Sequence, residues 1–191
     1  MLIFVFGIMI LITTNMKNFF LVIAFFIIAI SANAQTKTMS NHSIAINTIG
    51  TSYNYEQALG GKMTLIGSIG LTMPYWAWHI PNSGWAYAIN PVFGLEPRFY
   101  YNIDTRSNKG KNTNYNSANY LSLDCYYMFN PIANQNTLIH PGIIISPNWG
   151  IRRVYNDRWL LEFSLGAWCL FDAESQISWA PRANLKFGIV F

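Results

Sequence analysis

Charge is what this sequence has least of. Its 191 residues carry 12 lysines and arginines against 8 aspartates and glutamates, a charged fraction of 10% where a soluble domain averages about 25%. The net charge of +4 is scattered rather than gathered into a basic stripe, so no nucleic-acid partner is expected. An apolar fraction of 52% with 16% aromatics also excludes a disordered chain. There are only two cysteines and three dispersed histidines, His42, His79 and His140. With no zinc spacing, no paired carboxylates beside the histidines and no phosphate-cradling glycine motif, neither a metal nor a cofactor is expected.

The apolar excess is concentrated at the N-terminus. Met16-Lys17-Asn18 makes a short positive head, Phe19 to Ile30 is a run of 12 apolar residues, and Ser31-Ala32-Asn33-Ala34 ends in the small-x-small pattern of a cleavage site. Residues 16–34 therefore read as a signal peptide with cleavage predicted before Gln35, and residues 1–15 as an upstream extension, since Met16 alone begins a complete signal. A transmembrane helix needs roughly 20 apolar residues, and neither Leu2 to Ile12 nor Phe19 to Ile30 reaches that. After Ala34 no stretch comes close.

Residues 35–191 instead alternate with a period of two, the mark of strands with two differently solvated faces. In Lys62 to Met73 the odd positions Met63, Leu65, Ile69 and Leu71 are apolar and the even ones are smaller and more polar. The same odd face recurs in Trp85 to Ile103, Asn119 to Phe129, Ile143 to Arg153, Trp159 to Phe171 and Arg182 to Phe191. With Ser43 to Gln57, bent at Gly50, this makes seven strands, most of them long enough for the roughly 9 to 11 residues of a tilted membrane strand. Short turns at Leu59 to Gly61 and Asn156 to Arg158 alternate with longer links at Pro74 to Gly84, Asn130 to Leu138 and Asp172 to Ser178. Transmembrane barrels place short turns in the periplasm and long loops outside. The polar link Asp104 to Asn116 then falls on the periplasmic side. Single-chain bacterial barrels have an even strand number, so the expected fold is an all-β, antiparallel up-and-down transmembrane barrel of about eight strands. The eighth would come from splitting residues 35–58 at Gly50, a length too short for two spanning strands.

The even face carries Glu96, Arg98, Asp124, Arg152, Glu162, Arg182 and Lys186. An eight-stranded barrel is just wide enough for side chains to fill, whereas open porins use about 16 strands or more. Near-balanced charges sharing one interior are therefore expected to pair into a plug; a narrow small-solute pore is the competing reading. Cys125 and Cys169 both take the odd face with a strand between them, so two spacings of about 4.8 Å keep them near 10 Å apart, beyond the reach of a disulfide. Trp76, Trp78, Trp85 and Tyr87 at one end, and Tyr100, Tyr101, Trp159 and Phe191 at the other, are expected to form interfacial girdles.

The Ala32-Asn33-Ala34-Gln35 cleavage site, Tyr55-Glu56-Gln57-Ala58-Leu59, Leu95-Glu96-Pro97-Arg98-Phe99-Tyr100 and Pro147-Asn148-Trp149-Gly150-Ile151-Arg152 resemble the small outer-membrane β-barrel proteins common in the Bacteroidota. The resemblance covers the mature chain and implies a place in the outer membrane, where the chain is expected to be a monomer in contact with the bilayer and lipopolysaccharide, with a structural or interaction role. The terminal Leu185-x-Phe187-x-Ile189-x-Phe191 is similar to the signal read by the outer-membrane assembly machinery, which assigns Phe187 and Phe191 to assembly. Some barrels of this size are lipid A deacylases or acyltransferases, so a lipid-modifying enzyme is the alternative function. No histidine-x-serine pair stands on one strand face; His79 with Ser83 in a loop is the nearest candidate, and no catalytic residue is assigned. Trp76 and Trp78 of the Pro74 to Gly84 loop would rest on lipid headgroups, or else serve as an exposed binding surface.

Overall fold

Alternation of this kind satisfies its backbone only by pairing strand with strand, and the structure, a computed structural model, closes that pairing into a ring. It describes residues 37–80, 84–137, 139–172 and 177–191; the expected extension 1–15 and signal peptide 16–34 lie outside the described residues. The strands are β1 (Asn41–Asn47), β2 (Gly50–Gly60), β3 (Met63–Ile80), β4 (Gly84–Phe99), β5 (Asn119–Met128), β6 (Ala133–Gln135), β7 (Gly142–Tyr155), β8 (Trp159–Asp172) and β9 (Ile177–Val190). Each long strand pairs antiparallel with the next, and β9 returns to β1, giving a closed eight-stranded barrel; β6 only adds to the edge of β4.

The eighth strand is the split at Gly50. Residues 41–60 fold back on themselves, with Asn41 opposite Glu56 and Asn47 opposite Gly50. The length objection fails because β1 needs only 7 residues here. The split also reverses the phase. In β1 the outward residues are Ile44 and Ile46 and the inward ones Asn41, Ser43 and Ala45, whereas from β2 onward the odd positions face outward.

Two further expectations change. Pro74 to Gly84 is no long loop: β3 runs to Ile80 and β4 begins at Gly84, in a hairpin that continues past a register shift between Thr72 and Tyr75. The bulge interrupts the alternation that would have revealed it. The side chains of Trp76, Trp78, His79 and Ser83 lie outside those described. The Asp104 to Asn116 link, expected as a polar connection, contains helix α1 (Ile103–Asn108) and a 3₁₀ turn at Asn114–Asn116. Ile103 and Ala118 are buried against Tyr100 and Tyr120, so this link covers the barrel end at which Lys37 and Phe191 lie. An N-terminal strap holds it there. The Met39 amide donates to Asn116 Oδ1 (2.8 Å) and Asn116 Nδ2 donates back to Met39 O (2.8 Å), while Lys37 and Lys62 each meet Asp104 at 3.0 Å. These two contacts hold the Asp104 carboxyl below its usual range, chiefly by hydrogen bonding from Lys62 and then Lys37.

The register confirms the cysteine geometry: Cys125 pairs with Ile145 and Ile145 with Cys169, so one whole strand separates two free thiols. Of the expected girdle residues, Tyr101 and Trp159 are exposed, but Tyr100 is fully buried because its even phase turns it inward.

Candidate functional site: the barrel interior

The inward face is built in three levels. Nearest α1, Ala45, Val154, Leu160 and Val190 form an apolar cluster with Tyr115 packed against it, beside the Tyr100, Ile103, Ala118 and Tyr120 group. Tyr120 needs the space above Gly150, because a Cβ on that glycine would collide with the tyrosine ring.

Above this seal lies the charge network. Arg98 on β4 reaches across the lumen to Glu162 on β8, donating from Nη1 (2.8 Å) and Nη2 (2.9 Å), and also holds Glu96 at 2.8 Å. Bidentate pairing of this kind is the strongest that a carboxylate and an arginine make. The Arg98 guanidinium lies 4.1 Å from the centroid of the Tyr120 ring, a cation–π contact. Arg152 on β7 meets Glu162 at 3.5 Å and Lys186 on β9 meets it at 3.4 Å. Arg182 and Asp124 pair separately at 2.8 Å, nearer the other end, with the Tyr126 ring 5.8 Å from the guanidinium carbon. All seven charged residues expected to face inward therefore do so, each in an ion pair.

Sequence reading missed Glu56, which completes the set. Its carboxylate accepts from Asn41 Nδ2 (3.1 Å), Thr64 Oγ1 (2.7 Å) and Tyr100 Oη (2.8 Å) and lies 3.4 Å from Arg152 Nη1. Arg152 in turn donates to Asn41 Oδ1 (3.1 Å). With Glu56 the ion-paired interior, among the described residues, holds four acids, Glu56, Glu96, Asp124 and Glu162, against four bases, Arg98, Arg152, Arg182 and Lys186. The signal was available: Tyr53 and Tyr55 mark the outward phase of β2, which sends Glu56 inward.

The third level is open space. A small cavity of about 80 Å³ lies between the network and the Arg182–Asp124 pair, bordered by Ser52, Asn54, Glu96 and Lys186. Beyond the pair, at the end away from α1, is a chamber of about 470 Å³ with mostly apolar walls, among them Met128, Ile144, Trp168 and Leu170. Its polar groups include Tyr126, Arg182, Asn184 and His140.

On the outward face, His42 Nδ1 and the Tyr53 hydroxyl lie 2.6 Å apart, while the adjacent Ser43 is buried on the opposite face and accepts from Asn54 Nδ2 (3.3 Å). His42 therefore has a phenol, not a serine, as its hydroxyl partner. Its ring also stacks on Phe191 with centroids 5.8 Å apart. The Phe191 amide donates to His42 O (3.0 Å) and the His42 amide to Phe191 O (2.8 Å), so the last residue closes the β9–β1 seam. Phe187 lies outward against Trp159, with centroids 5.8 Å apart. Among the described residues no group of three or more His, Cys, Asp or Glu side chains could hold a metal. No protein-family model matches this chain, and no curated protein or solved structure does either.

Proposed function

We propose that the protein is an integral outer-membrane β-barrel whose lumen is plugged at mid-height by a paired charge network, and that its role is structural or one of interaction at the cell surface rather than conduction. One observation carries this reading: the barrel holds a charge network inside and is apolar outside around its circumference. Ile44, Ile69, Phe93, Leu121, Ile143, Leu165 and Leu185, from seven of the eight barrel strands, are all outward and exposed. Monomeric soluble proteins rarely expose contiguous apolar patches beyond a few hundred Å², while an apolar belt over a polar interior is the arrangement of a membrane barrel. Phe187 and Phe191 then act as the signal for the assembly machinery, and lipopolysaccharide surrounds the outer half.

Export and insertion are tested by fractionating cells that express the full chain. The protein should appear in the outer membrane, begin at Gln35, and migrate faster on a gel before boiling than after. A cytoplasmic or freely soluble product would overturn the proposal. In planar bilayers the folded protein should give no stable single-channel currents, because Arg98 bridges the lumen to Glu162 and Arg152 bridges it to Glu56.

A further inference from the structure

The wall of the barrel is not equally tall all round. The β1 ladder on β9 runs from Lys186 to Val190 and ends with the Thr48 amide donating to Leu185 O (3.0 Å). β2 pairs with β3 only as far as Thr72, and the Met73 amide then closes on Ile49 O (2.6 Å). Above that two-residue turn, β9 continues from Asn184 to Ile177 and β3 from residue 74 to Ile80, each paired on its other side alone among the described residues. The result is a notch two strands wide. Three strand spacings put about 14 Å between the flanking backbones.

The chamber of about 470 Å³ lies against this notch. Thr48 and Ile49 of the short turn line it, as do Pro181, Ala183 and Asn184 of the unpaired edge. Unpaired strand edges at membrane depth are tolerated where they border a cavity rather than lipid. The volume falls within the roughly 300 to 1,000 Å³ of small-molecule sites, and the lining has their composition of apolar walls with a few convergent polar groups. Those polar groups lie at two levels, with His140 ahead of β7 at the far end and Thr48 in the turn. Arg182, Tyr126 and Asn184 adjoin the charge network at the floor, while Met128, Ile144 and Leu170 form the wall above. Arg182 uses only Nη1 on Asp124; its guanidinium makes no other hydrogen bond among the described residues and its side chain retains 18% exposure.

We infer that this chamber is a binding site for a long-chain carboxylate, seated with its head at the Arg182 floor and its chain along the apolar wall toward the notch. A guanidinium with unspent planar donors fits a carboxylate, and the apolar wall fits an acyl chain but not a sugar or a nucleotide. Entry through the notch rests on the membrane reading above; the chamber itself does not.

The test uses the folded full-length mature protein in detergent, with hexadecanoate and hexadecan-1-ol as probes, read by native mass spectrometry and by displacement of a fluorescent polyene fatty acid. Saturable one-to-one binding of hexadecanoate is expected. Ile144→Trp, which fills the chamber, should weaken both probes. The charge-neutral double variant Arg182→Gln with Asp124→Asn avoids leaving a lone buried charge. It should weaken hexadecanoate about tenfold or more while leaving hexadecan-1-ol within about threefold. Each variant is first checked for heat-modifiable mobility, and Leu170→Trp replaces Ile144→Trp if the latter does not fold. Absence of saturable binding, or binding indifferent to a filled chamber, overturns the site. Equal weakening of both probes by the double variant overturns the role given to Arg182. Because the assay needs only folded protein, either failure is separable from a failure of outer-membrane localisation.

Discussion

Replacing Glu162 by glutamine turns one acceptor oxygen into an NH2 donor and leaves the volume almost unaltered, so its effect reports on the charge and one lost acceptor rather than on packing. Glu162 is the hub of the interior. It accepts both Arg98 nitrogens at 2.8 and 2.9 Å, and Arg152 and Lys186 approach at 3.5 and 3.4 Å. The variant leaves three cations facing Glu56 and Glu96 alone. Two unit charges 4 Å apart at an effective dielectric of 20 attract by about 4 kcal/mol, and three such contacts are lost. Against this stands the recovered cost of dehydrating the carboxylate, which is of similar size for one ion. Measured losses on removing one partner of a buried pair are about 3 to 5 kcal/mol, and that is the destabilisation expected here. Unfolding of the barrel by urea in lipid vesicles, followed by tryptophan fluorescence, gives the value. The double variant Glu162→Gln with Arg98→Gln should recover part of it, since contacting residues are not additive. A loss of under about 1 kcal/mol for Glu162→Gln would refute the reasoning, because that is the worth of a solvent-exposed pair. It would mean that water fills the lumen and that the pairs are not what closes it.

Three other perturbations follow from the same geometry. Gly150→Ala drives a methyl group into the buried Tyr120 ring and should cost about 1 to 3 kcal/mol in the same unfolding assay; adding Tyr120→Leu should restore most of it, and no rescue would contradict the packing. Asp104 has its folded pKa depressed below the ordinary 3.8 by Lys62 and Lys37, so its contribution is complete above that value and is lost as pH falls through the lower, folded one. Hydrogen exchange of α1 should therefore quicken below about pH 4 in the wild type and show no such transition in Asp104→Asn. Deleting Phe191 removes both seam hydrogen bonds and the stack on His42, and should lower outer-membrane yield. His42→Ala, which removes the stack and the Tyr53 contact but keeps both seam hydrogen bonds, separates assembly recognition from seam stability, and full yield from the deletion would count against both.

The strands after Gly50 were legible because each obeys one rule, apolar at odd positions, which the hydrogen-bond ladder keeps in register from β2 to β9. Where the rule breaks, legibility ends. β1 runs in the opposite phase, with Ile44 and Ile46 outward, and joined to β2 it reads as one bent strand. The same error concealed Glu56, whose inward phase follows once Tyr53 and Tyr55 are placed outside. Beyond Thr72 a bulge shifts the pairing, so a paired hairpin reads as a loop. The covering link was illegible for another reason: α1 has only 6 residues, too few for a helical period, and what fixes it is tertiary, the strap at Met39 and the pair of lysines on Asp104.

The height of the wall and the position of the charges belong to one arrangement. The ring is complete only at the level that β1 and β2 reach, and the ion pairs of Glu56, Glu162, Arg152 and Lys186 all lie at that level. Asn41 and Glu56, at the far end of the short hairpin from its turn, bond directly to Arg152 on β7. A buried ion pair repays its dehydration only with good geometry and with water kept out, and a continuous wall is what keeps water out. Above the turn the wall is interrupted, the inward residues of β5, β7 and β8 become Met128, Ile144 and Leu170, and the last charge pair, Arg182 with Asp124, stands at the boundary between the two regimes. Lengthening the hairpin by two residues on each side of Thr48-Ile49 would extend the closed ring across that boundary. It should leave the stability assigned to Glu162 unchanged while closing the chamber to hexadecanoate. An extended hairpin that still bound the fatty acid would place its entry at the open end of the barrel instead of its side.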